Sequence, residues 1–237
     1  MTILITGGNG KLGKELRKVF PDALAPTHKE FDITNVKQVK RYLEQSNPDI
    51  IIHCAALTSI NQCQEDQRLA YATNVLGTEN LISVCADNCY FVYVSTACVF
   101  QGDRGNYAED DLPSPKNYYG LTKLLGEFVA CKTRTKSLII RTNFTDRERW
   151  PYPKAFTDRF GTYLFAETVA RGIRDVIKKS LTGVVHIVGD RRMSMYELAK
   201  ITTPDIEPMT LDEYHGPPLT IDMSLNTIRW RRYEIQI

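Results

Sequence analysis

The chain has 237 residues, of which 43% are hydrophobic and 24% are charged. This length suits one domain with at most a small appended lobe, and the composition excludes a disordered chain. The formal net charge of +2 gives no reason to expect nucleic acid or an anionic membrane as a partner.

No segment provides the roughly 20 apolar residues of a membrane-spanning helix, and the first residues lack the features of a signal peptide. The six cysteines are scattered and include no C-x-x-C pair, so we expect no metal site. These features predict a reduced, cytoplasmic protein.

Short apolar runs alternate with longer amphipathic runs, which is typical of parallel strands joined by helices. The predicted strands cover residues 2–6, 23–25, 49–53, 90–94, 138–141 and 184–188. The predicted helices cover residues 12–20, 36–44, 69–86, 118–130, 163–179 and 195–201. Residues 144–161 are predicted to form an ordered loop, and the tail after residue 201 is predicted to be mostly irregular.

The first predicted strand runs into a glycine-rich turn in which Gly7, Gly10 and Gly13 have the spacing G-x-x-G-x-x-G. The first glycine allows a tight turn, the second lets backbone approach a pyrophosphate, and the third lets the next helix pack close to the sheet. A plain glycine-rich turn is the alternative. The position between a strand and a helix favours a dinucleotide site.

Two tyrosine and lysine pairs have the spacing Y-x-x-x-K, namely Tyr119/Lys123 and Tyr196/Lys200, and chance alone can produce such pairs. Tyr119 opens a predicted helix that follows Thr96, at the end of the strand over residues 90–94. Ligands of doubly wound sheets bind at strand carboxyl ends. We therefore expect Thr96, Tyr119 and Lys123 to converge on a substrate carbonyl, and we interpret Tyr196/Lys200 as an ordinary pair on a surface helix.

This trio suits carbonyl reduction, because a carbonyl that accepts a hydride must also gain a proton on its oxygen. A phenol can donate that proton, but its usual pKa near 10 is high. A nearby ammonium lowers such a pKa. We predict that Tyr119 donates the proton, that Lys123 lowers its pKa and holds the nicotinamide ribose, and that Thr96 hydrogen-bonds the carbonyl oxygen.

Six stretches carry a family resemblance: ILITGGNGKLG (3–13), FDIT (31–34), PDIIIHCAA (48–56), ATNVLGT (72–78), VSTACVFQG (94–102) and NYYGLTKLLGE (117–127). In them the chain resembles the extended short-chain dehydrogenase/reductase family, in its dTDP-4-dehydrorhamnose reductase branch. The resemblance implies an α/β fold, a Rossmann-like doubly wound parallel sheet with a small, reduced C-terminal substrate-binding lobe. Residues 1–143 and about 162–188 would form the NAD(P)-binding domain, and about 144–161 and 189–237 would form the lobe.

The resemblance also implies site residues. The glycines would hold the cofactor diphosphate, Asp32 and Ile33 would border adenine, and Ala55 and Ala56 would line the cofactor cleft. The full set of expected cofactor contacts is Gly7, Gly8, Asn9, Gly10, Lys11, Leu12, Gly13, Thr27, His28, Lys29, Asp32, Ile33, Cys54, Ala55, Ala56, Tyr119 and Lys123.

For the reaction, Thr96, Tyr119 and Lys123 match the family's catalytic triad, and Asn74 matches an Asn that supports the catalytic helix and a proton-relay water. The expected substrate contacts are Thr58, Thr96, Ala97, Cys98, Asn143 and Phe144, with Phe144 in the place of a substrate-facing Trp. Ala97 and Cys98 replace a carboxylate and a phenol of the family, and the segment after Asn143 is short.

The identity of the nicotinamide cofactor depends on the end of the second predicted strand. An acid about 20 residues past the glycines often selects NAD, but the resemblance places Asp32 on the adenine side. Thr27, His28 and Lys29 carry no acid and can donate to a 2′-phosphate. The sequence therefore favours NADP(H) over NAD(H), with solvated loop residues as the alternative for this segment.

Together these features predict an NAD(P)H-dependent reductase of a nucleotide-linked 4-keto-6-deoxy sugar. One alternative is a nucleotide-sugar epimerase or dehydratase that uses NAD. Another is a cofactor-binding regulatory subunit similar to the β-subunit of methionine adenosyltransferase, which the short lobe favours and the intact triad disfavours. The expected partner is the small-molecule substrate, with a homodimer as a possible assembly.

Overall fold

The computed structural model describes residues 1–132 and 136–235. The strands are β1 (Ile3–Thr6), β2 (Ile50–His53), β3 (Tyr90–Val94), β4 (Lys136–Thr142), β5 (Phe144–Thr145), β6 (Lys154–Phe156), β7 (Phe160–Gly161), β8 (Leu164–Phe165), β9 (Gly183–Ile187), β10 (Met193–Ser194), β11 (Glu207–Met209) and β12 (Asp222–Met223). The helices are α1 (Lys11–Val19), α2 (Val36–Ser46), α3 (Ile60–Glu65), α4 (Gln67–Tyr71), α5 (Gly77–Val84), α6 (Tyr118–Cys131), α7 (Ala166–Lys178) and α8 (Met195–Thr202).

Five parallel strands form the central sheet in the order β1, β2, β3, β4, β9. Successive residues of a strand point to opposite faces. In β1, Ile3 and Ile5 pack against the layer that contains α1 and α7, and Leu4 packs against the layer that contains α2, α5 and α6. The predicted doubly wound α/β fold is confirmed.

The predicted strand over residues 23–25 is reduced to one bridge, between Leu24 and Leu4 at the outer edge of β1. The Leu24 amide donates to the Ile3 carbonyl, and the Leu24 carbonyl accepts from Ile5, both at 2.8 Å. The next rung of a parallel ladder needs an N–H two residues further on. Pro26 occupies that position and has no N–H, so the pairing stops.

The predicted helix over residues 69–86 is interrupted and ends early. α4 is followed by a π-helical segment, Ala72–Leu76, and then by α5, which ends at Val84. A π turn has nearly the same apolar periodicity as an α turn, so the sequence pattern does not reveal it. Gly77, directly after this segment, lies so close to Ile33 that an added Cβ would be 2.8 Å from the Ile33 Cδ1 atom.

The predicted helix over residues 163–179 begins late, at Ala166. Leu164 and Phe165 instead form β8, which pairs with β5, and the Leu164 amide donates to the Asn143 carbonyl at 3.0 Å. Residues 144–161 also contain β6 and β7, and the tail contains β11 and β12 where we expected little regular structure. The helix α3 was not predicted. The remaining predicted elements are confirmed to within two residues at each end.

A second apolar cluster lies beside the sheet. Phe165, Met223 and Leu225 pack there with Phe100 and Tyr107, whose rings stack with centres 4.4 Å apart. The cluster fixes residues near the C-terminus against the loop after β3. The division of the chain into a cofactor domain and a substrate lobe stays a prediction.

Within the two described ranges, no helix is long and apolar enough to cross a bilayer. Nor does any group of three or more His, Cys, Asp or Glu side chains come together there as a metal ion would require. All six cysteines lie in this part of the chain, and none of them forms a disulfide there.

Candidate active site

The candidate site lies at the carboxyl ends of β1 and β2, where the order of the sheet reverses. From β1 the chain first reaches Leu24 on one side and then crosses to β2 on the other. This reversal leaves a crevice between the two strand ends, which is the usual ligand position in doubly wound sheets.

The glycine-rich turn in this crevice has the shape that a diphosphate needs. Gly7 has a φ of 70°, and an added Cβ would lie 2.7 Å from the Ala55 nitrogen. An added Cβ would lie 2.2 Å from the Gly7 carbonyl oxygen at Gly13 and 3.3 Å from the same oxygen at Gly10. Gly10 is the N-cap of α1 and offers no side chain to its first amides. Those amides can therefore bind phosphate oxygens.

A cavity of about 1250 Å³ extends from this turn past the ends of β2 and β3. The residues named from the sequence that line it are Gly7, Gly10, Lys11, Leu12, Gly13, His28, Asp32, Ile33, Cys54, Ala55, Ala56, Thr58, Thr96, Tyr119, Lys123, Asn143 and Phe144. The expected cofactor and substrate regions are thus parts of one cavity.

Seven residues named from the sequence do not line the cavity: Gly8, Asn9, Thr27, Lys29, Asn74, Ala97 and Cys98. Gly8 packs against Ala25, and Asn9 accepts a long hydrogen bond of 3.5 Å from Arg17. The amide and hydroxyl of Thr27 both donate to the Glu30 carboxylate, at 2.8 and 2.9 Å. The expected 2′-phosphate segment therefore has an acid beside it, and His28 is its one residue that lines the cavity.

Ala97 and Cys98 are buried in the second apolar cluster. The Thr96 hydroxyl accepts from the Cys98 amide at 3.1 Å and starts a 3₁₀ turn, Ala97–Val99, that directs both side chains inward. The Cys98 sulfur lies 3.9 Å from the sulfur of Met223. Both side chains therefore lie outside the cavity lining of this structure, and their contact with the substrate stays a prediction.

Helix α6 brings Tyr119 against the end of β3. Its N-cap is Asn117, whose side-chain oxygen accepts from the Gly120 amide at 2.9 Å. An added Cβ at Gly120 would lie 2.3 Å from the Cys98 carbonyl oxygen, so the helix can approach this loop only with a glycine here. The approach lets the side chains of Tyr119 and Thr96 form a hydrogen bond.

Tyr119 is half-buried and Lys123 is buried, one helical turn apart on α6. Burial raises the pKa of Tyr119 above its usual value, the nearby Cys98 thiol adds to that rise, and the hydrogen bond with Thr96 lowers it. We expected Lys123 to lower this pKa, so the direction is opposite. The raised pKa keeps the phenol protonated at neutral pH, as a proton donor requires.

Lys123 lies over the ring of Tyr93, with 4.1 Å between its nitrogen and the ring centre. Burial lowers the pKa of Lys123 to about 8, while the carboxylate of Glu127 and the thiol of Cys54 act in the opposite direction. The ammonium is therefore retained at neutral pH, but with a pKa close to the physiological range.

His53, at the end of β2, was not identified from the sequence. Its Nδ1 is 2.7 Å from the Thr6 hydroxyl and its Nε2 is 3.0 Å from the Thr78 hydroxyl. Thr78 donates to the Asn74 carbonyl, so its oxygen accepts from Nε2 and Thr6 donates to Nδ1. Burial, and then Lys123, lowers the pKa of His53 to about 3. This neutral ring fastens β1 and β2 to α5.

Asn74 lies in the π-helical segment and connects three elements. Its side-chain oxygen accepts from the Leu57 amide at 2.8 Å, and its nitrogen donates to the Leu57 carbonyl at 3.0 Å and to the Thr122 hydroxyl at 2.9 Å. Asn74 is 1% exposed and does not touch the cavity. It fixes the loop after β2 to the helix that carries Tyr119. The π turn orients the Asn74 side chain for these contacts.

The far end of the cavity is formed by residues that sequence reasoning missed. They are Ser59, Ile60, Asn61, Leu69, Thr73, Trp150, Tyr152, Pro153, Lys154, Ala155, Phe156, Arg159, Met195, Met209, Tyr214 and Leu219. Most follow β5 in segments of irregular pattern. The aromatic density of residues 150–156 is the one signal in the sequence that could have indicated them.

The chain matches the family model described as RmlD substrate binding domain over residues 1–145. The dTDP-4-dehydrorhamnose reductase of Aggregatibacter actinomycetemcomitans is 30% identical, with 83% of this chain and 76% of that protein covered. The methionine adenosyltransferase 2 subunit beta of Xenopus laevis is 29% identical, with 83% of this chain and 69% of that protein covered.

Among solved structures, the dTDP-4-dehydrorhamnose reductase of Bacillus anthracis in complex with NADP superposes with a TM-score of 0.88. It is 28% identical, and the match covers 95% of this chain and 90% of that one. The UDP-glucose 4-epimerase of Thermus thermophilus, in complex with NAD, has a TM-score of 0.75 at 19% identity, which shows the common fold alone.

Proposed function

Because the chain belongs to the RmlD substrate binding domain family, we propose that it is an NAD(P)H-dependent reductase of a nucleotide-linked 4-keto-6-deoxy sugar. The observation that carries the proposal is that Thr96, Tyr119 and Lys123 line the same cavity as the glycine-rich turn. The dTDP-4-dehydrorhamnose reductases among its relatives act on a sugar of this class.

In the proposed reaction the bound nicotinamide supplies a hydride to the keto carbon. Tyr119 gives its phenolic proton to the keto oxygen, so the C=O group becomes an alcohol. Thr96 donates a hydrogen bond that positions the same oxygen, and Lys123 holds the ribose hydroxyls and stabilises the phenolate that remains. Asn74 acts indirectly, because it fixes α6 to the loop after β2.

For the cofactor we propose NADP(H) over NAD(H). Gly7, Gly10 and the first amides of α1 would hold the diphosphate, and His28 would meet the 2′-phosphate. The Bacillus anthracis relative was solved with NADP. The Glu30 carboxylate beside Thr27 would repel the 2′-phosphate, so we expect only a small difference in affinity between NADPH and NADH.

We also propose that residues 1–143 and about 162–188 bind the cofactor and that about 144–161 and 189–237 form the substrate lobe. The residues at the far end of the cavity support this division, because many come from the second set. A homodimer remains a prediction.

The decisive experiment measures NADPH oxidation with a panel of nucleotide-linked 4-keto sugars, for the wild type and for Tyr119→Phe. We expect turnover with at least one sugar and its near loss in the variant. Equal turnover of both proteins would exclude Tyr119 as the acid, and no turnover with any sugar would exclude the reductase.

A regulatory subunit is the second candidate, and the 29% identity to a methionine adenosyltransferase 2 subunit beta favours it. It requires no turnover on any sugar and a stoichiometric complex with a methionine adenosyltransferase, which gel filtration of the mixed proteins measures. The intact Thr96, Tyr119 and Lys123 favour the reductase, because regulation alone does not need them.

A further inference from the structure

Arg159 is a buried cation in the wall of the cavity. The residue is 7% exposed and directly precedes β7. Its Nε donates to the Thr220 carbonyl at 2.9 Å. Its Nη1 and Nη2 lie 3.3 and 3.9 Å from the sulfurs of Met195 and Met223. A thioether is a weak acceptor without charge, so this surrounding leaves the guanidinium charge uncompensated.

The neighbouring carboxylates already have other partners. Asp158 accepts from the Leu211 amide, and Asp222 binds Arg192 at 2.7 Å and accepts from the Ser224 amide. Among the ion pairs of residues 1–132 and 136–235, none includes Arg159. Burial of an unpaired charge is costly. An anion in the cavity would supply the missing charge.

Lys154, the other cation at this end of the cavity, differs from Arg159. It forms an ion pair with Glu213, with 3.1 Å between Nζ and Oε2, and its side chain is 41% exposed. An incoming anion would have to displace Glu213 from Lys154. Arg159 needs no such displacement and has a planar set of donors that suits phosphate oxygens.

Two buried side chains connect Arg159 with the reacting end of the cavity. Its Nη2 and the Cys98 sulfur contact the same Met223 sulfur, each at 3.9 Å, and Cys98 is close enough to Tyr119 to raise its pKa. In a nucleotide-linked 4-keto sugar the diphosphate is attached at C1, on the opposite side of the sugar ring from C4. The cation and the acid are therefore separated by two side chains, Met223 and Cys98, which leaves room for the sugar between them.

We infer that Arg159 binds the diphosphate of the nucleotide-linked substrate and so directs C4 of the sugar toward Tyr119. The inference rests on the proposed function, because it takes the substrate to be a nucleotide sugar. Arg159 would then determine both the affinity for the nucleotide and the end of the sugar that reaches the acid.

The test is a calorimetric titration of protein saturated with NADP⁺, which blocks the diphosphate site at the glycine turn. Thymidine diphosphate and uridine diphosphate are the probes, thymidine and uridine are the uncharged references, and glucuronate is the sugar-acid probe. The proteins are the wild type, Arg159→Gln, Arg159→Lys and Arg192→Gln. Arg192 is the matched control, because it is a nearby arginine that already has a carboxylate partner and does not line the cavity.

We expect Arg159→Gln to bind the preferred nucleoside diphosphate at least tenfold more weakly, Arg159→Lys to retain part of the affinity, and Arg192→Gln to match the wild type. Unchanged NADP⁺ affinity shows that each variant is folded. Equal diphosphate affinity in the wild type and Arg159→Gln would overturn the inference. So would a loss confined to glucuronate, or a wild type that binds no nucleoside diphosphate. The titration needs no turnover, so it tests the anion site separately from the reaction. Arg159-dependent binding without NADPH oxidation would exclude the reductase but would still support an anion site at Arg159.

Discussion

The side chains of Glu127 and Arg141 form a two-point ion pair in the interior, with 3.0 Å between Oε1 and Nε and 2.7 Å between Oε2 and Nη2. Both side chains are about 5% exposed or less. Glu127 also accepts from the hydroxyl of Ser95, the residue before Thr96. The pair thus connects α6, one turn past Lys123, with β4 and with the end of β3.

We expect Arg141→Met to lower the free energy of unfolding by about 3–5 kcal/mol, because it leaves Glu127 buried and uncompensated. Urea unfolding of the apoprotein measures this. The control is Arg149→Met, which removes an exposed ion pair with Asp205 and is expected to change the stability little. Similar losses in the two variants would contradict the importance of burial at Arg141.

The pKa of Lys123 gives a second prediction. With a pKa of about 8 in the folded protein, Lys123 is charged below that pH and neutral above it, so turnover should fall as the pH rises through about 8. Glu127 raises this pKa, so Glu127→Gln should move the alkaline limb of the kcat profile to lower pH. The other groups that face Lys123 are His53, Cys54 and Tyr93.

The pKa of Lys123 also predicts how the free energy of unfolding depends on pH. The folded pKa of Lys123 lies below its usual value near 10.4, so between about pH 8 and 10 the unfolded chain binds the extra proton. The stability of the wild type relative to Lys123→Met should therefore rise with pH in that window. Paired urea unfolding at pH 7.5 and 9.5 measures the difference, and a constant or falling difference would contradict the shifted pKa.

The motifs at strand ends were the part of the site that sequence could predict. A glycine turn after β1, Thr96 after β3 and a Tyr/Lys pair on the next helix meet because the ends of parallel strands share one edge of the sheet. The strands themselves were readable from runs such as Ile50–His53. Ala97 and Cys98 follow the same strand end, but the turn that begins with the hydrogen bond from the Cys98 amide to Thr96 places both side chains in the second apolar cluster, which the sequence pattern does not reveal.

Arg159 and Tyr214 could not be predicted in the same way. Their segments have no strong periodicity, and their positions depend on pairings between distant residues, such as β7 with β12 and β6 with β11. Asn74 was named through the family resemblance alone. Its contacts depend on a π turn that has no signature in the sequence.

Asn74→Leu should lower the free energy of unfolding by about 1–3 kcal/mol, because it leaves the part-buried Leu57 amide without its partner, whereas the Leu57 carbonyl keeps its contact with the Cys63 thiol. Thr122→Val removes one hydrogen bond of this network and should lower the free energy of unfolding by less. Urea unfolding gives both values, and kcat for Asn74→Leu should fall as α6 loses its attachment to the loop after β2. An Asn74→Leu protein of wild-type stability would exclude the bridging role.

The acid assignment can be tested on neighbouring residues of one helix. Tyr119→Phe should lower kcat by about 10²–10⁴-fold, which is the usual contribution of a positioned general acid. Tyr118→Phe is the matched control, because Tyr118 opens the same helix but does not line the cavity. NADPH affinity should be equal in all three proteins. A similar loss of kcat in both variants would mean that the effect lies in the helix and not in the phenol.

The cofactor preference depends on His28, the residue of the Thr27–Lys29 segment that lines the cavity. His28→Ala should weaken NADPH binding by about five- to tenfold, the effect of one partly exposed hydrogen bond to a charged group. NADH lacks the 2′-phosphate, so its affinity should not change. Lys29→Ala is the control, since Lys29 is exposed and does not line the cavity. Fluorescence titration of the wild type and both variants with NADPH and NADH measures the six affinities. If Lys29→Ala weakens NADPH binding and His28→Ala does not, the 2′-phosphate is held from outside the cavity described here.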